Sequence, residues 1–173
     1  KYPVLWLLHG THGDASDWQR RTCIEHYACE RNVIVVMPTA QNSNYSNWEN
    51  YAIGYNMYDF VLKELMPIIY GWFPASDKRE DNYIAGLSMG GMHTLMITAN
   101  YPDMFNYIGL YSAGVDFSHL NMEEVPAYAN LDAKLTKLAQ GNPKLYWIAC
   151  GNEDWLLPAN KRLMERMDKD GLK

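Results

Sequence analysis

Gly86-Leu87-Ser88-Met89-Gly90-Gly91 sets a serine two residues from a glycine on either side. That G-x-S-x-G spacing is the pattern of a nucleophile turn, in which a serine hydroxyl is presented for attack on a carbonyl. Each residue type has a reason. The serine needs a sharp turn with strained backbone angles so that its hydroxyl projects from a sheet edge. The flanking glycines remove side chains that would collide across the turn. A helix starting just after the serine aims N–H groups and a positive dipole end at the reacting centre. The Met89 N–H is then a natural oxyanion donor. Alone, the pattern arises by chance in many proteins. Its weight comes from the strand expected before it (Tyr83 to Ala85) and the helix expected after it (about Met89 to Asn100).

Two further segments have the types and order to complete such a site. Upstream, Leu7-Leu8-His9-Gly10-Thr11 ends an apolar run, and a loop in that position supplies a second oxyanion N–H, here assigned to Thr11. Downstream, a carboxylate and then a histidine should follow the serine. Asp154 stands after the apolar run Leu145 to Ala149 in a turn containing Gly151, which brings a carboxylate to the sheet edge that carries Ser88. Glu153 is its neighbour and competitor, and Asp116 a more distant one. The five histidines are His9, His12, His26, His93 and His119, so none follows Asp154. Each reads more simply as a surface or hydrogen-bonded histidine than as the base. His9 and His12, with no partner ligands identifiable, are read as non-metal.

The elements that must position these residues alternate along the chain. Val4 to Leu8 and Val33 to Met37 are continuous apolar runs, the mark of strands buried on both faces. Shorter strands are expected at Tyr83 to Ala85, Ile108 to Tyr111 and Leu145 to Ala149. Helices are expected from about Asp17 to Glu30, with Ser16 or Asp17 as the cap, and over Met57 to Tyr70, Met89 to Asn100, Leu131 to Ala139 and Pro158 to Lys169. A long polar loop, Thr39 to Tyr55, and an irregular one, Gly114 to Pro126, separate them. Strand–helix alternation without repeats or linkers implies a single α/β domain over residues 1–173, a mainly parallel sheet covered on both faces.

Composition narrows the class. The chain has 173 residues, 48% of them hydrophobic, enough for one packed core. A net charge of −5 and no Lys/Arg cluster argue against a nucleic-acid partner. The apolar runs are strand-sized, too short to span a bilayer. Three cysteines, Cys23, Cys29 and Cys150, without a CxxC pair are expected to be buried free thiols. Among the abundant aromatics, 13 Tyr and 6 Trp, Tyr45 and Trp48 with Asn44 in the long loop, and Trp155 beside Asp154, are candidate walls of a substrate pocket.

These segments together resemble the α/β-hydrolase esterase family that includes tributyrin, feruloyl and acetyl-xylan esterases and S-formylglutathione hydrolase (esterase D). The resemblance runs through Tyr2 to Gly10, Gly13-Asp14, Asp17-Trp18 and Val35 to Pro38. It continues through Glu64 to Pro67, Gly86 to Gly91, Tyr101 to Phe105 and Cys150-Gly151-Asn152-Glu153-Asp154. The His-Gly loop, Ser-Met-Gly-Gly and Gly-x-Glu-Asp in combination are far more specific than the serine motif, and look closest to the bacterial tributyrin and feruloyl branch. The resemblance implies that Asp154 is the acid of the triad and that a further strand and a histidine-bearing loop lie beyond residue 173. The chain, which opens on Lys1 rather than Met, is accordingly expected to be truncated at both ends and inactive as it stands.

What the resemblance implies for function is a serine carboxylesterase working on short-chain or aryl (acetyl- or feruloyl-type) esters, with a small-molecule or carbohydrate-linked substrate and no metal or organic cofactor. A thioesterase of the S-formylglutathione hydrolase kind, an acyltransferase and a degenerate binding module that has lost its base remain the alternatives. Homo-oligomerisation is left open, and the reading leans to a cytoplasmic over a secreted location.

Overall fold

Residues 1–41, 43, 56–116 and 129–172 are described by the computed structural model. Among them, five strands form one parallel sheet: β1 (Val4–Leu8), β2 (Ile34–Val36), β3 (Asn82–Leu87), β4 (Tyr107–Tyr111) and β5 (Leu145–Ala149). Parallel neighbours need crossover connections, and helices supply them: α1 (Asp17–Arg21), α2 (Ile24–Arg31), α3 (Met57–Asp59), α4 (Met66–Trp72), α5 (Met89–Asn100), α6 (Leu131–Gln140) and α7 (Leu157–Lys169). The fold is therefore a parallel sheet with crossover helices, as the sequence alternation implies.

The strand order is β2-β1-β3-β4-β5. The chain moves outward from β1 to β2, then returns to the other side of β1 and proceeds to β5. That reversal creates a switch point beyond the carboxyl ends of β1 and β3, the usual place for a site in an open parallel sheet.

Register divides the sheet into two unequal faces. Trp6 aligns with Val36 and Ile84, Ile84 with Ile108, and Ile108 with Tyr146, and all five are buried. Over this face lies α5, apolar on nearly every side and buried from Met89 to Ala99, as a helix at the centre of a core must be. The next row, Leu5, Val35, Tyr83, Tyr107 and Leu145, belongs to the opposite face. There α2 stands over an apolar cavity of about 180 Å³ lined by Leu5, Ile24, Tyr27, Ala28, Val35 and Tyr83. Further along, Leu145 and Trp147 are 41% and 55% exposed.

Three local expectations change. The helix expected over 17–30 is two helices, because Thr22 is extended and its hydroxyl both donates to the Trp18 carbonyl and accepts the Ile24 N–H. Ser16 does precede the first of them, but its hydroxyl goes to Asp14 rather than to a helix N–H. The helix expected over 57–70 runs to Trp72 through a π-helical stretch, Phe60–Leu65, just before Pro67, whose ring nitrogen has no N–H for the ordinary ladder. The cysteines are free, but Cys23 and Cys29 are exposed and Cys150 is only half-buried, so the expected burial does not hold.

Candidate active site

β3 ends at Leu87 and α5 begins at Met89, so Ser88 alone makes the turn between them. Its backbone lies at φ 53° and ψ −112°, a conformation costing a non-glycine residue roughly 1–3 kcal/mol. Surrounding bonds hold it there. The Ser88 N–H donates to the Tyr111 carbonyl at 2.9 Å, and the Ser88 carbonyl accepts from Met92 at 3.0 Å and Gly114 at 2.9 Å. A methyl group on Gly86 would collide with the Gly90 carbonyl, and one on Gly90 would lie 2.5 Å from the Leu8 carbonyl oxygen. Strand, turn and helix thus meet at backbone distance. Because the Met92 N–H makes the first bond back to Ser88, the N–H groups of Met89 to Gly91 precede the helical ladder.

Across the switch point, the loop after β1 comes up against this turn. A methyl on Gly10 would lie 3.4 Å from Ser88 Cβ. His9 is buried beneath that loop. Its Nε2 accepts the Ala40 N–H at 2.9 Å, so the ring proton sits on Nδ1 and donates to the Gly10 carbonyl at 2.6 Å. The same carbonyl accepts the Gly13 N–H at 3.1 Å. Since C=O and N–H of a trans peptide point in opposite directions, anchoring the Gly10 oxygen fixes the opposite heading of the Thr11 N–H. Trp18 stiffens the strand end by donating its indole N–H to the Leu8 carbonyl at 3.2 Å, with its ring edge-on to Tyr111.

The acidic segment follows β5. Asp154 lies in a turn closed by its own N–H to the Gly151 carbonyl at 3.1 Å, immediately before α7. The Leu156 N–H donates to its carboxylate at 2.8 Å, and the neighbouring Ser112 hydroxyl, that N–H and the Cys150 thiol hold its pKa below the usual carboxylate value. The sheet carries β4 between this turn and the serine turn, and Ser112, at φ 43°, is the first residue beyond β4.

The remaining candidates disperse. Asn44, Tyr45, Trp48 and His119 lie outside the described residues. Trp155 is 82% exposed. Glu153 is exposed, and Asp116 approaches Arg162 at 4.0 Å. His26 pairs with Glu30 on the open side of α2. His93 is buried within α5, edge-on to Tyr58, and burial lowers its pKa to about 3. Residues the sequence reading passed over are Ser112, Cys150 and Asn160. Of these, Asn160 left a trace: it stands in line with Leu163 and Met167 on the inward stripe of α7, where an apolar residue belongs.

A strained serine at a strand–helix turn, beside the switch point of a parallel sheet, defines an α/β-hydrolase. The Esterase family, described as "Putative esterase", matches residues 1–166, and the chain belongs to that family. An acetyl esterase of Caldicellulosiruptor saccharolyticus is 29% identical over 197 residues, covering 98% of this chain and 72% of that protein. FphF, a fluorophosphonate-binding serine hydrolase of Staphylococcus aureus, superposes with a TM-score of 0.83 at 28% identity, covering 99% of this chain and 73% of its own. The S-formylglutathione hydrolase FrmB of Staphylococcus aureus gives 0.78 at 30%, with the same coverage. Ester hydrolysis is thereby the chemistry of the family.

Proposed function

We propose that this chain is the catalytic core of a serine carboxylesterase that hydrolyses short-chain or aryl esters through an acyl-enzyme on Ser88. The observation that carries the reading is the backbone of Ser88, held in a costly conformation at the mouth of α5 by three hydrogen bonds. A packing turn has no need of such strain; a presented nucleophile does.

In this mechanism a histidine takes the Ser88 proton as the hydroxyl oxygen attacks the ester carbonyl, and the Asp154 carboxylate orients that histidine and stabilises its charged form. Negative charge building on the carbonyl oxygen is met by the N–H groups of Thr11 and Met89, each worth about 3 kcal/mol of barrier. The histidine returns the proton to the leaving alcohol, and water, activated the same way, releases the acid. Three of the chain's histidines are engaged elsewhere. His9 is bound on both ring nitrogens, His93 is enclosed in the core and His26 faces away on α2.

Hydrolysis of p-nitrophenyl acetate and butyrate by the intact protein, beside Ser88→Ala, tests this. Loss of activity by ~10³-fold or more in the variant is expected; equal turnover would overturn the assignment of Ser88. The likeness to FrmB favours a second reading, a thioesterase acting on S-formylglutathione. Comparing kcat/KM for that thioester with kcat/KM for an aryl acetate separates the two.

A further inference from the structure

Ser112, Ala113 and Gly114 form a short strut between the two turns of the site. Gly114 donates to the Ser88 carbonyl and Ser112 donates through its backbone to Ala149 at the end of β5 at 2.7 Å. The Ser112 hydroxyl also neighbours the Asp154 carboxylate and is the main influence holding its pKa down. Between them, Ala113 is fully buried, and a methyl on Gly91 of α5 would lie 2.8 Å from its Cβ. A segment this short, with Ser112 at positive φ, needs something to hold it.

That something is one side chain. Asn160, fully buried on α7, accepts the Ala113 N–H at 3.2 Å and donates to the Ala113 carbonyl at 3.0 Å. It donates again to the Leu156 carbonyl at 3.0 Å. The Leu156 N–H in turn donates to Asp154. We propose that Asn160 is a positioning residue for catalysis, locking the 112–114 strut and the 154–156 turn into one unit so that the Asp154 carboxylate is held at a fixed place relative to Ser88. This rests on the reading of Asp154 as the acid that orients the base.

An apolar residue at position 160 would pack the α7 stripe equally well, but would leave the Ala113 N–H without its buried partner and the Ala113 carbonyl with only the Val115 N–H at 2.8 Å. The amide's role is geometric. Without it the carboxylate remains present and charged but loses its register with the base, and catalysis suffers in the step that builds positive charge on that base.

The test is a double-mutant cycle on the intact protein with p-nitrophenyl acetate: Asn160→Ala, Asp154→Asn and both together, with thermal unfolding recorded for each. Asp154→Asn is expected to lower kcat by ~10²-fold or more. Asn160→Ala is expected to lower kcat by ~10–100-fold with KM within about threefold, and to move the acidic limb of the pH profile to lower pH, because a base with a misplaced carboxylate is more easily deprotonated. In the Asp154→Asn background the Asn160 substitution should add less than about threefold. Additive losses, or unchanged kcat with only a lowered Tm, would overturn the proposal. Asp154→Asn with near-normal kcat would instead remove the acid assignment beneath it. Should Asn160→Ala fail to fold, Asn160→Ser, which keeps one donor and one acceptor, is read by the same criteria.

Discussion

Two turns at one end of the same sheet are built by opposite means. The turn after β3 is made of backbone: Ser88 is strained, and Gly86 and Gly90 let strand, helix and the end of β1 meet with no side chain between them. The turn after β5 is made of side chains: Asp154 is fixed by Ser112, Cys150 and the start of α7, and Asn160 braces it from below. The first tolerates almost no change in shape. The second tolerates change in shape but not in hydrogen bonding. On the proposed mechanism, a nucleophile that must sit at one point relative to two N–H donors suits the first construction, and a carboxylate that orients a base suits the second.

Glycine substitutions should expose the contrast most sharply. Gly86→Ala drives a methyl into the Gly90 carbonyl and should destabilise by about 4 kcal/mol or more in urea unfolding. Its counterpart in the other turn, Gly151→Ala, meets only Asp154 Cβ at 3.8 Å, an ordinary contact. If the two variants unfolded alike, the difference in construction would be fictitious.

Acid should separate the turns next. His93, one turn along α5 from Ser88, has its pKa lowered to about 3 by burial, from an ordinary 6.5. Between those values the unfolded chain binds a proton that the folded chain refuses, so stability falls as pH falls through that window, by up to about 1.4 kcal/mol per pH unit. Asp154 behaves otherwise. Its depressed pKa contributes stability that is present above 3.8 and lost only as pH drops through its lower folded value. Urea unfolding at a series of pH values should therefore show a slope between pH 6.5 and about 4 that His93→Leu flattens and Asp154→Asn leaves in place.

Ser112→Ala is smaller still. It removes the largest influence lowering the Asp154 pKa without touching the strut's backbone, and should raise that pKa with little change in stability. Carboxyl titration by NMR would register the shift. The smallest effect belongs to Gly151→Ala, expected within about 0.5 kcal/mol of the parent protein.

The same contrast explains what the sequence revealed. A turn built of backbone leaves its signature in residue types at fixed spacing, so Gly86, Ser88 and Gly90 announce both the strand before and the helix after. The parallel sheet was legible for a similar reason, since Val4 to Leu8 and Val33 to Met37, which supply β1 and β2, are short apolar runs of the kind a covered sheet uses. A turn built of side-chain bonds leaves no such spacing. Ser112 is bonded to a residue 42 positions later by chain number, and Asn160 reaches back to Ala113 across β5, so only the folded chain brings them together. The break at Thr22 was hidden too, because one threonine in a polar helix is unremarkable until its hydroxyl is seen to take the place of a helical bond.

The strut beyond β4 also bears on the order in which the chain acquires its reactivity. Ser88 is held strained by partners at 111 and 114, and residue 160 holds Ala113 between them, so the serine has no reason to adopt its costly conformation while the rest is still unstructured. During biosynthesis Ser88 would emerge relaxed and reach its strained conformation only after α7 has docked, some seventy residues after it left the ribosome. Pulse-labelled hydrogen exchange during refolding would report that sequence as late, joint protection of the Ser88 and Gly114 amides. A half-made chain would then carry Ser88 unstrained.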